Sequence, residues 1–174
     1  MPLAREQRKL AAIVAANVVG YSRLMGRNES GTLARLRKNR SERLEPVLAR
    51  YGGRLVKSTG DGAPVEFAGA VVALSAAIEF QQTMAEANCD QPAESSLVFR
   101  MGFHPGDLIV VGGDLYGDGV NVAARLEGEA PAGGIVVFRT VHEAVIDRVK
   151  ATFDDPDSLV LKIDDALRAA GVAE

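Results

Sequence analysis

Asn121 and Arg125 lie four residues apart in the stretch DLYGDGVNVAARLE, residues 114–127. If that stretch is helical after its Gly-Asp-Gly turn, both side chains leave from one face. Arg offers a planar fork of donors matched to phosphate oxygens, and Asn can both donate and accept. The pair therefore suits an anionic, polar ligand, although alone it is equally an ordinary exposed couple. Two further segments bear on the choice. In Asn17-Val18-Val19-Gly20-Tyr21-Ser22 a strand runs through a glycine into a helix, leaving free backbone N–H groups at a helix start, a ready phosphate cradle. In KSTGDG, Lys57 precedes by four residues the carboxylate of Asp61 at the tip of a turn. Asp-Gly turns also arise for purely conformational reasons.

These residues need a scaffold. The apolar run over residues 10–19 reads as a buried strand ending at Gly20. Residues 21–50 read as helical, broken near 28–31 and stopped by Gly52-Gly53. Residues 54–58 and 63–67 read as strands joined by the turn at 60–62, followed by a largely buried helix over 70–87. Residues 96–104 and 108–111 are expected to pair as a second hairpin around Pro105-Gly106-Asp107. After the Asn121/Arg125 helix come a strand at 134–138 and a helix at 140–149. Beyond Asp157 a short strand and a helix over 164–170 are expected, with Gly171 as its stop. The order β-α-α-β-β-α-β-β-α-β-α fits one α+β domain over 1–174, a ferredoxin-like sandwich of a mainly antiparallel sheet with helices packed on it. Residues 151–174 form its divergent end.

Composition excludes several classes. A net charge of -3 with no compensating basic block argues against nucleic acid as a partner. No apolar run reaches membrane-spanning length and the first residues lack the core of a signal peptide, so no membrane and a cytoplasmic chain are expected. Cys89 is the only cysteine, which rules out a disulfide framework and a thiolate metal site; following a helix, it reads as inert. His104 and His142 lack metal-ligand spacing and read as structural or surface residues. The Arg- and Lys-rich first helices read as a solvated face, and Asp118 as a cap at a helix start.

Taken together, in order and spacing over residues 10–153, the three segments resemble the class III nucleotidyl cyclases, the adenylate and guanylate cyclase catalytic domains. The resemblance implies two divalent ions, Mg2+ or Mn2+, at each site. Asp61 matches one metal-binding aspartate, Asn17 stands where the other should be, and the Val18 carbonyl is a further ligand. Val18, Val19, Gly20, Tyr21 and Ser22 match the phosphate-binding turn. Lys57 and Asp114 match the pair that selects adenine, which points to ATP. Asn121 matches the asparagine that orients the ribose, and Arg125 the arginine that stabilises the transition state at the α-phosphate. Lys162, nine residues after Phe153, matches a phosphate-binding lysine. The family builds its site across a dimer interface, so a homodimer is implied. The hairpin of the diguanylate cyclases, two glycines then two acids and Phe, is absent.

Asn17 departs from the pattern. An amide oxygen supplies geometry to a hard cation without negative charge. The expected consequence is weaker metal binding and a rate loss on the order of 100-fold. The alternative is a catalytically degenerate cyclase-homology domain serving as a nucleotide-binding or regulatory dimerisation module.

Overall fold

The computed structural model describes residues 7–55, 62–105, 107–111, 114–116, 118–153 and 155–162. The apolar run at 10–19 is not one strand. The chain divides at Ala11 into β1 (Gln7–Leu10) and β2 (Ala12–Val18), which join different sheets. Composition explains the division. β2, with the sequence AIVAANV, is apolar along most of both faces and takes a central position. β1, with the sequence QRKL, is too polar for one.

The main sheet has the order β3-β4-β2-β5-β8-β9. Its other strands are β3 (Arg54–Leu55), β4 (Gly62–Phe67), β5 (Phe99–His104), β8 (Ile135–Val137) and β9 (Val160–Lys162). β2 pairs antiparallel with β4 and β5, and β8 and β9 continue the sheet in parallel. Helices connect β2 to β3 and β4 to β5. The spatial order of those four strands is therefore that of a ferredoxin-like βαββαβ unit.

The second hairpin expected from the sequence does not form. β5 starts at Phe99 and is flanked on both edges by β2 and β8, so no edge remains for the next strand. β6 (Asp107–Val111) instead pairs with β1 and with β7 (Asp114–Tyr116) in a separate three-stranded sheet. The expected helix over 164–170 and the turn at 60–61 lie outside the described residues.

The helices are α1 (Tyr21–Arg27), α2 (Glu29–Asn39), α3 (Glu45–Tyr51), α4 (Ala70–Asn88), α5 (Asp118–Glu129) and α6 (Arg139–Lys150). The expected break at 28–31 falls at Asn28, whose Oδ1 accepts a hydrogen bond from Gly31 N at 2.9 Å and caps α2. A wide π-turn, Arg40–Leu44, joins α2 to α3. α5 starts at Asp118 itself, so this residue is the first of the helix and not a cap preceding it.

Strand alternation gives the sheet two unlike faces. Ala12, Val14 and Val18 of β2, with Met101 and Phe103 of β5, enter the main core against α4. Ile13 and Ala15 point the other way, where Ala123 of α5 covers them. Gly102 permits that cover: a Cβ there would strike the Ala123 carbonyl and the Glu127 amide, and would lie 2.8 Å from the Leu126 carbonyl carbon. No helix among the described residues is long and apolar enough to cross a membrane.

Candidate active site

Asn17 is the next residue on the α5 side of β2 after Ile13 and Ala15. Its cross-strand partners are Gly62 on β4 and Arg100 on β5. Directly opposed residues share a face, so the Asn17 and Arg100 side chains are neighbours on the α5 side of the sheet. Asn17 Oδ1 and Arg100 Nε are both buried, and neither has a hydrogen-bond partner among the described residues. An orphaned buried polar atom costs about 1–3 kcal/mol, so native chains leave few of them. Two on facing residues leave a polar spot open to a partner beyond the described residues. Sequence reading missed Arg100. The available signal was an arginine in a run of otherwise apolar strand residues, FRMGF.

Two residues beyond β2 the backbone turns at Gly20, with φ +70, into α1. No side chain caps this helix start, so its first N–H groups remain available. A Cβ on Gly20 would sit 3.2 Å from Arg23 Nη2, so the Arg23 guanidinium lies over the turn and adds positive charge. Val18 is buried at the strand end, Val19 N donates to Val98 O at 2.7 Å, Tyr21 is half-buried, and Ser22 is exposed. Asn17, Val18, Val19, Gly20, Tyr21 and Ser22 are thus brought together with Arg100 and Arg23.

The other expected residues are not all gathered there. Asn121 and Arg125 are both exposed, on the side of α5 away from Ala123 and Leu126, which face its own sheet. Asp114 opens β7 opposite Val111, in the smaller sheet. Lys162 ends β9 opposite Val137. The segment entering β9 is held to α6 by Asp157, whose Oδ1 lies 2.9 Å from His142 Nε2 and whose Oδ2 lies 3.1 Å from Lys150 Nζ. His142 is therefore a buried structural residue, as its spacing suggested. Lys57 and Asp61 lie outside the described residues.

The donor set fits a cation in one respect. Asn17 Oδ1 is a buried, unpartnered oxygen of the hard type that Mg2+ and Mn2+ take. It brings no charge, and among the described residues no group of three His, Cys, Asp or Glu could hold a metal ion. A cation held there would need negative charge from beyond the described residues.

Known proteins align with this chain over most of its length. The family model for the adenylate and guanylate cyclase catalytic domain matches residues 3–167. The protein named "Putative adenylate cyclase 3" of Rhizobium meliloti is 48% identical over 86% of the chain, which spans 25% of that relative. An adenylate cyclase of Streptomyces coelicolor is 31% identical over 78% of the chain, which spans 34% of it. The chain therefore spans between a quarter and a third of the length of these relatives. Among solved structures, an adenylate/guanylate cyclase/hydrolase from Silicibacter pomeroyi superposes with a TM-score of 0.77 at 44% identity, covering 83% of this chain and 84% of that one.

Proposed function

The chain belongs to the adenylate and guanylate cyclase catalytic domain family, and from that premise we propose that it converts ATP to cyclic AMP and pyrophosphate, as a homodimer with shared sites. The observation that carries this reading is the pair of buried, unpartnered groups on Asn17 and Arg100, facing each other beside the uncapped start of α1. A triphosphate would satisfy both the guanidinium and the N–H groups.

In the reaction, the ribose 3′-oxygen attacks the α-phosphorus. The new O3′–P bond forms as the bond to the β-phosphate oxygen breaks, pyrophosphate leaves in line, and the 3′-hydroxyl proton passes to water. Positioning and charge stabilisation dominate such a transfer. Arg100, the turn at Val19, Gly20, Tyr21 and Ser22, and Lys162 would bind the phosphates. Lys57 and Asp114 would read the adenine edge. A site built on such buried hydrogen bonds rejects the wrong base steeply. Asn121 would orient the ribose, and Arg125 would meet the charge developing at the α-phosphate. Bound at Asp61, Asn17 and the Val18 carbonyl, two Mg2+ or Mn2+ ions would activate the 3′-hydroxyl and neutralise the triphosphate.

The direction of Asn121 and Arg125 supports a shared site. Both extend into solvent from the outer side of α5, where they can serve a second copy's Asn17 and Arg100. A nucleotide-binding or regulatory role without turnover is the second reading, and the uncharged Asn17 amide is what favours it.

The test is incubation of purified protein with ATP or GTP, in Mn2+ and in Mg2+, with products identified by mass. Cyclic AMP and pyrophosphate from ATP, with little from GTP, is the expected result. Nucleotide binding without product in either metal would select the regulatory reading.

A further inference from the structure

The basic helices at the start of the chain are not merely a solvated face. Arg35 and Lys38 of α2 and Arg43 of the π-turn converge on one cavity of about 170 Å³, closed on the far side by Met84, Gln91 and Ser95. No carboxylate lines it among the described residues. Arg35 Nη1 reaches only the Glu94 carbonyl oxygen, at 3.5 Å, and Nη2 the Thr32 hydroxyl at 3.4 Å. Arg43 Nη1 reaches the Asn39 amide oxygen at 3.4 Å. None of these cations forms an ion pair with a described residue, unlike Arg50, Arg54 and Lys150, which pair with Glu79, Glu66 and Asp157. Three cations with no ion-pair partner among the described residues thus surround one hollow.

The π-turn supplies an independent pointer. In an unbroken α-helix the residue two turns on from Arg35, on the same face, would be Glu42. The wide turn Arg40–Leu44 inserts a residue, so Arg43 lines the cavity and Glu42 is exposed outside it. An irregular turn has thus put a guanidinium where a regular helix would put a carboxylate, and such turns recur at functional sites.

We propose that this cavity is a second anion site, for a small ligand bearing a phosphoryl group. Two guanidinium forks with one ammonium suit the several oxygens of such a group, and Gln91 and Ser95 add neutral donors. The cavity lies on the α4 side of the sheet, whereas Asn17, Arg100 and α5 lie on the other. It is therefore separate from the site proposed at Asn17 and Arg100.

The test is calorimetric titration of pyrophosphate, without divalent metal, into an Arg100→Gln chain, which lacks the phosphate contact proposed on the sheet. Saturable binding at one site per chain is expected. Adding Arg43→Gln should weaken it by roughly tenfold or more, while adding Glu42→Gln, one residue away and outside the cavity, should leave it unchanged. A parallel titration with glycerol 3-phosphate distinguishes free phosphate from a phosphate ester as the ligand source. Absence of saturable binding of both probes in the Arg100→Gln chain, or equal weakening by Arg43→Gln and Glu42→Gln, would overturn the inference. If binding is present in wild type and lost with Arg100→Gln alone, the only anion site is the one on the sheet; this inference then fails and the proposed function stands.

Discussion

The two faces of the main sheet are built by different rules, although they share the same strands. Toward α4, β2 and β5 present Ala12, Val14, Val18, Met101 and Phe103 to an apolar cluster in which Leu74, Ile78 and Phe80 are almost wholly buried. Toward α5 the same strands present Asn17, Arg100 and Gly102, with orphaned polar atoms on the first two among the described residues and a glycine that lets a helix close in. The first face gains by removing apolar surface from water. Under the proposed function, the second would give up stability to keep charged and polar groups ready for a ligand, as functional sites commonly do. Neighbouring residues of one strand can therefore respond in opposite ways to substitution.

Phe103→Ala on the α4 side should have the largest effect. Phe103 is fully buried, and its removal is expected to lower the unfolding free energy by about 3–5 kcal/mol in urea denaturation. Gly102→Ala, one residue earlier and on the opposite face, should cost about 1–3 kcal/mol because α5 must move off the sheet. It should also reduce cyclase turnover out of proportion, since Asn121 and Arg125 ride on that helix. If Gly102→Ala leaves both quantities intact, α5 does not depend on close approach.

Arg100→Gln sharpens the contrast. It removes a buried donor that has no partner, so the unfolding free energy should stay level or rise by up to about 1 kcal/mol. The KM for ATP should rise at least roughly tenfold if the guanidinium binds phosphate. A marked loss of stability would mean instead that Arg100 is structural.

The smallest expected effect lies far from either face. Burial, and secondarily the Glu79 carboxylate, raises the Tyr51 phenol above its usual pKa of 10.0, partly offset by Arg50. The unfolded chain therefore loses this proton first. The contribution is fully present below pH 10 and is lost as pH rises through the folded-state value. Tyr51→Phe should flatten stability against pH in that alkaline window and leave the pH slope near neutrality unchanged.

Most of the fold was legible because periodicity encodes which side of an element is covered. The helix at α4, the strand at β4 and the break at Asn28 follow directly from it. The division at Ala11 and the loss of the second hairpin were not legible. Both depend on which strand edges are already occupied, and pairing between distant strands leaves no local trace. In the candidate site, Gly20 and the Asn121/Arg125 pair could be read from spacing. Arg100 could not, because its meaning comes from standing opposite Asn17 across two strands far apart in sequence. The hollow at Arg35, Lys38 and Arg43 was not legible for a similar reason: a π-turn shifts the helical phase, and a fixed period cannot anticipate it.

The proposed function gives the chain a cyclase site handicapped by one missing carboxylate. Cyclic AMP production by wild type, Asn17→Asp, and Asn17→Asp with Arg125→Ala, each in Mg2+ and in Mn2+, measures that handicap. Wild type should be weak in Mg2+ and partly rescued by Mn2+, and Asn17→Asp should raise the Mg2+ rate on the order of 100-fold. Adding Arg125→Ala should abolish that gain by removing charge stabilisation at the α-phosphate. Full wild-type activity in Mg2+, or no gain from Asn17→Asp in either metal, would contradict the account.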